Sequence, residues 1–183
     1  GHTFHLKDSL DLTTGFEHNL QEIDFDTNIA GYDSNVDKER HNHGYYINLD
    51  KQLDSGVFVH GGVRLDTPNT FDDQYTHRIA IEKNGVHLSY STGYKAPTVY
   101  EMYGKNNYGF LGNSNLVPEK SKTWEIGYKS DGHKFVYFES EIDKDRFFGF
   151  NTLSHFNFVN GGSEDQVPEE HRNTQLNCDK AKG

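Results

Sequence analysis

Hydrophobic and polar residues alternate along most of the first 160 residues, in runs that are separated by turn residues. In residues 57–66, for example, Val57, Val59, Val63 and Leu65 fall on alternate positions, and polar or small residues fill most of the rest. Successive side chains of a β-strand point to opposite faces, so this period of two predicts strands with one apolar face each. About eight such runs predict an all-β protein. The predicted strands are 10–25, 41–53, 57–66, 74–83, 86–94, 123–129, 134–142 and 148–159.

Tight turns alternate with long connections along the chain. Asn84-Gly85 and Asp131-Gly132 are dipeptides that favour two-residue hairpins, whereas residues 27–40, 66–73 and 97–122 form long polar connections. This rhythm is typical of antiparallel up-and-down barrels, whose outer-membrane members carry short turns on one side and long loops on the other. Helical periodicity is not sustained anywhere, and the pattern predicts no helix.

Alternation by itself does not distinguish a membrane barrel from a soluble sheet. A soluble sandwich hides its apolar face in a core, whereas a wide membrane barrel turns that face to lipid and its polar face to a water-filled lumen. Aromatic residues make up 14% of the chain and gather near strand ends, which favours the membrane barrel. The side chains predicted to point inward are Arg64, Glu82, His87, Ser89, Ser91, Glu125 and Glu139.

Composition excludes several other classes of protein. The formal net charge of -10 argues against a nucleic-acid partner, which needs clustered Lys and Arg. The chain has one cysteine, Cys178, so it has no internal disulfide framework. Motifs of hydrolases, zinc proteases and phosphate-binding loops are missing from the sequence, so we expect neither an enzyme nor a cofactor.

The long connection and its flanking strands carry the most specific motif. Residues 90–98 read YSTGYKAPT, 100–104 read YEMYG, 112–121 read GNSNLVPEKS and 123–125 read TWE. In this order and spacing, the segments resemble TonB-dependent outer-membrane receptors of the cobalamin, haem and siderophore group. The resemblance covers roughly residues 8–160.

The resemblance implies an architecture, a location and partners. Residues 1–160 are expected to form part of a transmembrane barrel of roughly 22 strands. Residues 161–183 depart from the family's pattern and, being polar and without alternation, are expected to form a disordered tail. We therefore expect a fragment, a truncated or frameshifted product, or an engineered chain. The expected location is the outer membrane of a Gram-negative bacterium. The expected partners are outer-membrane lipid, the TonB system through the full-length receptor, and a nutrient such as an iron chelate, haem or cobalamin.

The motif residues have physical roles of their own. Pro97 has no N–H for a strand ladder and so ends the strand, and it pushes Ala96 toward extended geometry. Gly93 permits a close approach or a bulge, and Trp124 is placed for a membrane interface. The residues expected to shape the rim are Gly93, Lys95, Ala96, Pro97, Asn113, Pro118, Glu119 and Trp124.

Four aromatic residues of the connection are candidate substrate contacts: Tyr100, Tyr103, Tyr108 and Phe110. Their rings could stack on a flat ligand such as haem, a corrin or a catecholate, or they could pack the loop against its neighbours. The sequence supports both interpretations equally.

His41-Asn42-His43 places two imidazoles on one face of a predicted strand, which suggests a weak metal site. The competing interpretation is a solvated pair at the rim, because no third ligand is evident. The Asp-rich residues 24–37 fail the register of a calcium loop and are expected to form a polar loop.

Three other functions remain open at the level of sequence. The chain could form a small independent outer-membrane barrel, a soluble β-sheet binding module or, less favoured, an outer-membrane enzyme.

Overall fold

The protein is an antiparallel β-sheet with one short helix. The computed structural model describes residues 1–6, 9–27, 34–104, 112–143, 146–149, 174–177 and 180–182. The strands are β1 His2–Leu6, β2 Leu10–Thr27, β3 Ser34–Gln52, β4 Phe58–Pro68, β5 Gln74–Lys83, β6 Val86–Lys95, β7 Glu119–Ser130, β8 His133–Asp143, β9 Arg146–Gly149, β10 Thr174–Asn177 and β11 Lys180–Lys182. The helix α1 spans Val99–Tyr103. In the part of the chain that the structure describes, no helix is long and apolar enough to cross a membrane.

Strands β1 to β8 follow one another in a single sheet, each antiparallel to the next, and β11 pairs with β8. A separate two-stranded sheet joins β9 and β10. The predicted all-β, up-and-down architecture is therefore confirmed. Neighbours in sequence are neighbours in space, so each hairpin forms from local contacts.

The strands β2 and β3 extend beyond their predicted ends. Residues 34–40 do not belong to a long polar loop, because β3 begins at Ser34. Strand β2 continues to Thr27, and Asp24 pairs with Asp37 across the ribbon. Strand β2 was predicted to residue 25, so the missed part is the start of β3, where residues 34–40 are mostly polar and show no alternation. Strand β1 and helix α1 were also not predicted.

The tail contains the short strands β10 and β11. The other residues of 161–183 lie outside the described residues, so the predicted disorder of the tail stays a prediction. The predicted strand 148–159 also falls largely outside them; the strand described there is β9.

One face of the sheet is apolar and exposed. Val63, in the middle of β4, is 57% exposed although it lies between Ile47 and the neighbouring β5. The exposed apolar residues that the strand register places on this face include Phe16, Tyr45, Ile47, Leu49, Val63, Tyr75, Ile79, Ile81, Leu88, Trp124, Ile126, Tyr128, Phe135 and Tyr137. The buried apolar side chains of the described residues lie elsewhere: Val36, Pro97, Val99, Met102 and Leu116. A water-soluble sheet would cover such a face, so this arrangement fits contact with lipid.

The opposite face is polar and concave. A groove of about 560 Å³ runs along it, and its lining includes Glu17, Asn48, Arg64, Arg78 and Glu125. Six of the seven side chains predicted to point inward lie on this face: Arg64, Glu82, His87, Ser89, Ser91 and Glu125. The polar face is thus the side that would surround a lumen.

The prediction for Glu139 is wrong. Glu139 pairs directly with Trp124 and therefore lies on the apolar face, whereas Phe138 pairs with Glu125 on the polar face. Residues 135–138 are all apolar, so alternation could not show which residues of β8 lie on which face of the sheet. The register with β7 decides it.

The turn between β5 and β6 has the backbone that its sequence predicts. Asn84 and Gly85 both have positive φ, 49° and 80°, as a two-residue hairpin turn of type I′ requires. The carbonyl of Gly85 accepts a hydrogen bond from the Lys129 amide at 2.8 Å, which ties this turn to the end of β7.

Gly85→Ala is expected to destabilise the protein by at least about 1 kcal/mol, because an added Cβ disfavours positive φ. That Cβ would also lie 2.1 Å from the Lys129 carbonyl oxygen. The measurement is the free energy of urea unfolding in lipid vesicles. Gly61→Ala is the control, since a Cβ at Gly61 meets no atom within 4 Å among the described residues. Equal unfolding midpoints for the two variants would contradict this turn geometry.

Candidate functional site

The connection between β6 and β7 begins and ends at one point of the sheet. Lys95 pairs with Glu119 in the strand register, and their side chains form an ion pair at 3.5 Å. Beyond this pair, Pro97 is almost fully buried, and the described part of the chain then turns into α1. The two predicted rim residues Pro118 and Glu119 are buried on the returning segment, while Ala96 is half-buried.

A capping box fixes the start of α1. The Glu101 amide donates to the Thr98 hydroxyl at 3.1 Å, and the Thr98 amide donates to the Glu101 carboxylate at 2.7 Å. Val99 and Met102 are each 2% exposed and face inward. The sequence signal was the spacing Thr-x-x-Glu, which satisfies two free amides at a helix start.

The returning segment is tied to the helix by backbone hydrogen bonds. The Gly112 amide donates to the Gly104 carbonyl at 2.7 Å, and the Asn113 amide donates to the Glu101 carbonyl at 2.9 Å. The Asn113 side chain accepts from the Asn115 amide at 3.0 Å and so shapes a turn. The described ends of the connection therefore form one ordered unit.

Arg40 on β3 joins this unit to the sheet. Its guanidinium donates to the Pro97 carbonyl at 2.7 Å, contacts the Met102 sulfur at 3.7 Å and lies 5.8 Å from the centre of the Phe71 ring. The Nε atom of Arg40 is buried and has no hydrogen-bond partner among the described residues. Arg40 was not recognised in the sequence, because its partners lie 57 and 62 residues away.

A polar network lies on the concave face below the connection. Arg64 donates two hydrogen bonds to the Asp66 carboxylate, each 2.8 Å long, and a third to Glu17 at 2.7 Å. Asp66 is 2% exposed and also accepts from Asn42 at 2.8 Å. Bidentate pairing with Arg64 balances the buried carboxylate.

Gly44 makes room for this network. A Cβ at Gly44 would lie 2.2 Å from a terminal nitrogen of Arg64 and 3.1 Å from the Asp66 carboxylate. The sequence placed Arg64 on the correct face but gave no signal for Glu17 or Asn42, whose contacts come from neighbouring strands. The network joins strands β2, β3 and β4 at the end of the sheet where the connection lies.

The candidate aromatic residues occupy different surroundings. Tyr100 is 42% exposed and lines an apolar cleft of about 360 Å³ with Ile23, Val36, Pro97 and Val99 among its other walls. The structure thus places Tyr100 where a bound ring could reach it.

Tyr103 is half-buried and lies beneath the Lys38 ammonium, which is 5.3 Å from its ring centre. Tyr103 therefore already has a partner within the chain. Tyr108 and Phe110 lie outside the described residues. Of the two candidates that the structure describes, Tyr100 is the one that is both exposed and beside a cleft.

Two other predicted rim residues lie within regular strand pairing. Gly93 faces Ser121 in an uninterrupted register between β6 and β7, and a Cβ there would lie 3.0 Å from the Ser121 hydroxyl. The Trp124 side chain is 57% exposed on the apolar face, and its ring centre lies 4.3 Å from that of Tyr90. Such an aromatic pair suits a membrane interface.

The two candidate metal-binding histidines have separate partners. His41 contacts Glu39 at 2.9 Å through Nε2, and His43 contacts His18 at 3.3 Å through Nδ1. Within the described ranges, no group of three His, Cys, Asp or Glu side chains is arranged to hold a metal ion.

The chain is similar to known proteins over most of its length. The family model described as "TonB dependent receptor-like, beta-barrel" matches residues 1–165. Among solved structures, the siderophore receptor PirA of Pseudomonas aeruginosa has a TM-score of 0.75 at 18% identity, over 98% of this chain and 36% of its own.

Two further solved structures show the same fold. A double mutant of the Serratia marcescens hemophore receptor HasR, in complex with its hemophore HasA and heme, has a TM-score of 0.70 at 14% identity, over 98% of this chain and 36% of its own. A variant of the ferric enterobactin receptor PfeA of Pseudomonas aeruginosa, in complex with enterobactin, has a TM-score of 0.61 at 20% identity, over 80% of this chain and 26% of its own. The chain thus spans about a third or less of the length of these proteins.

Proposed function

Since the chain belongs to the TonB-dependent receptor-like β-barrel family, we propose that it forms part of the wall of an outer-membrane receptor for a scarce nutrient. The observation that carries this proposal is the ordered connection, which Arg40 holds at one end of a concave polar face. The apolar face is proposed to contact outer-membrane lipid in a Gram-negative bacterium. The polar face is proposed to line the lumen.

The proposed substrate is an iron chelate, that is, a ferric siderophore with flat aromatic groups. The apolar cleft beside Tyr100 supports this choice, because an exposed ring next to an apolar wall can stack on a planar ligand. Two of the structurally similar proteins are described as siderophore or ferric enterobactin receptors. Haem and cobalamin are the two alternative nutrients, and the binding experiment includes both.

The proposed mechanism assigns separate tasks to the two parts of the chain. The connection captures the solute at the outer mouth, where Arg40 keeps α1 and Tyr100 in place. The hydrated groove below offers both charges, from Glu17, Arg64 and Arg78, to a polar solute that passes along the wall. Energy from the TonB system acts through the full-length receptor. No covalent chemistry is assigned to the chain.

Tyr100→Ala in the full-length receptor is expected to weaken binding of a ferric catecholate siderophore by about two- to tenfold, which is the contribution of one aromatic contact. The measurement is equilibrium binding of the siderophore to the receptor in detergent. The control is Tyr75→Ala, because Tyr75 is 74% exposed but lies on the apolar face. The control is expected to leave the dissociation constant unchanged.

Titrations with haem and cobalamin define the substrate class. If Tyr100→Ala weakens binding of one of these and the siderophore does not bind, the substrate assignment is wrong while the receptor function stands. If a folded receptor binds none of the three solutes, the proposed nutrient uptake is wrong.

A further inference from the structure

Two histidines from neighbouring strands meet on the apolar face of the sheet. His18 of β2 stands directly opposite His43 of β3 in the strand register. Their Nδ1 atoms are 3.3 Å apart, and the ring centres are 4.7 Å apart. Phe16 stacks against His43 with a centre distance of 5.9 Å and limits the orientations of that ring. His18 is exposed and His43 is half-buried, and both lie at the end of the apolar face, near where the pairing of β3 with β4 stops.

The separation of the two nitrogens matches a metal chelate. Zinc binds imidazole nitrogens at about 2.0–2.1 Å in tetrahedral geometry. Two ligand atoms on such a tetrahedron are then about 3.3–3.4 Å apart, from the same bond lengths. The two Nδ1 atoms lie within hydrogen-bond distance of each other, and a metal ion would take the place of a proton shared between them. Imidazole ligands suit zinc, copper and nickel better than calcium or magnesium.

We propose that His18 and His43 form a two-imidazole site for a divalent transition metal ion such as zinc, with water in the remaining positions. His41 lies close by, with its ring centre 6.1 Å from that of His18, but its Nε2 is engaged by Glu39 at 2.9 Å. The two residues of the His-x-His motif therefore do not form the chelate. The cross-strand pair forms it instead.

The site lies at the base of a projecting ribbon. His43 pairs with Thr67 at the end of β4, and the pairing of β3 with β4 stops one residue further, at Asn42 and Pro68. The strands β2 and β3 contain 18 and 19 residues, about twice the 9–11 residues that cross a membrane. A metal ion at this point would join the two strands of the ribbon where the rest of the sheet no longer supports them.

The test is a calorimetric titration of the protein, folded in detergent, with zinc chloride in a buffer free of chelators. The parent protein is expected to show one site that His18→Ala and His43→Ala each weaken by at least about tenfold, because each variant removes the intramolecular second ligand. His41→Ala and His77→Ala are the matched controls. His41 belongs to the same cluster, and His77 lies on the same apolar face of the sheet, beside Thr92.

X-ray absorption spectroscopy at the zinc edge, on the parent protein with zinc bound, is expected to show two imidazole nitrogen ligands and oxygen ligands. Neither His18 nor His43 is buried in a core, and His18→Gln and His43→Gln repeat the test with polar side chains of similar length. The proposal is wrong if the two control variants lose as much zinc affinity as the His18 and His43 variants. It is also wrong if the parent protein and the four alanine variants bind zinc with equal affinity, because the two rings would then share only a hydrogen bond.

Discussion

Ile79→Arg is expected to prevent stable insertion of the protein into a membrane, whereas Ala80→Arg at the next position is tolerated. Ile79 lies in the middle of β5 on the apolar face and is 49% exposed. An arginine on the lipid side of a barrel costs about 2–4 kcal/mol near the bilayer midplane. Ala80 faces the polar groove beside His60 and Ser89, so an arginine there stays in water.

The comparison between these two variants tests the orientation of the whole sheet. The measurement is the folded fraction in outer membranes, followed by the free energy of urea unfolding in lipid vesicles. If the apolar face instead faced water, Ile79→Arg would be an ordinary surface substitution with an effect within about 0.5 kcal/mol. Stable folding of Ile79→Arg in plain buffer would identify a soluble β-sheet binding module and exclude the lipid-facing assignment.

Arg40→Ala is expected to release the connection between β6 and β7 from the sheet. The variant loses a hydrogen bond from a charged donor to the Pro97 carbonyl, a contact worth about 1.5–3 kcal/mol. Opening of the described ends, residues 97–104 and 112–118, should become at least about tenfold more frequent, since 1.4 kcal/mol corresponds to tenfold. The measurement is hydrogen exchange of the amides of α1, for which the Met102 amide is a sensitive probe.

Two further variants separate the geometry of Arg40 from its charge. Arg40→Lys keeps the positive charge but not the planar group that reaches Pro97, Met102 and Phe71 together. It is expected to behave more like the alanine variant than like the parent. Lys38→Ala removes only the contact above Tyr103, which contributes about 0.5–1 kcal/mol at an exposed site. Exchange in Arg40→Ala at the parental rate would show that the connection is held by other contacts.

The accuracy of the sequence-based predictions differs between regular strands and their extensions. Strands β4 to β7 were predicted within a few residues, because each has one apolar face and alternation reports that face directly. The outer part of β3, residues 34–40, was not predicted, although β2 was predicted to residue 25. Residues 34–40 contain one apolar residue, Val36, so hydrophobicity carries no period there.

The candidate site was predicted in part. The motif from Gly93 to Trp124 correctly marked where the strands end and return, because Pro97, Pro118 and the glycines constrain the backbone locally. The side chains that hold the connection in place were missed, above all Arg40. Contacts between residues about 60 positions apart arise only when the sheet brings β3 beside α1.

The sequence by itself determined the antiparallel strands, their turns and the apolar and polar faces of most of them, because these depend on backbone preferences and a period of two. Only the tertiary structure decided the phase of β8, the Arg64 network and the meeting of His18 with His43. Each of these depends on the register between strands, and a register is a relation between distant segments that no local pattern encodes.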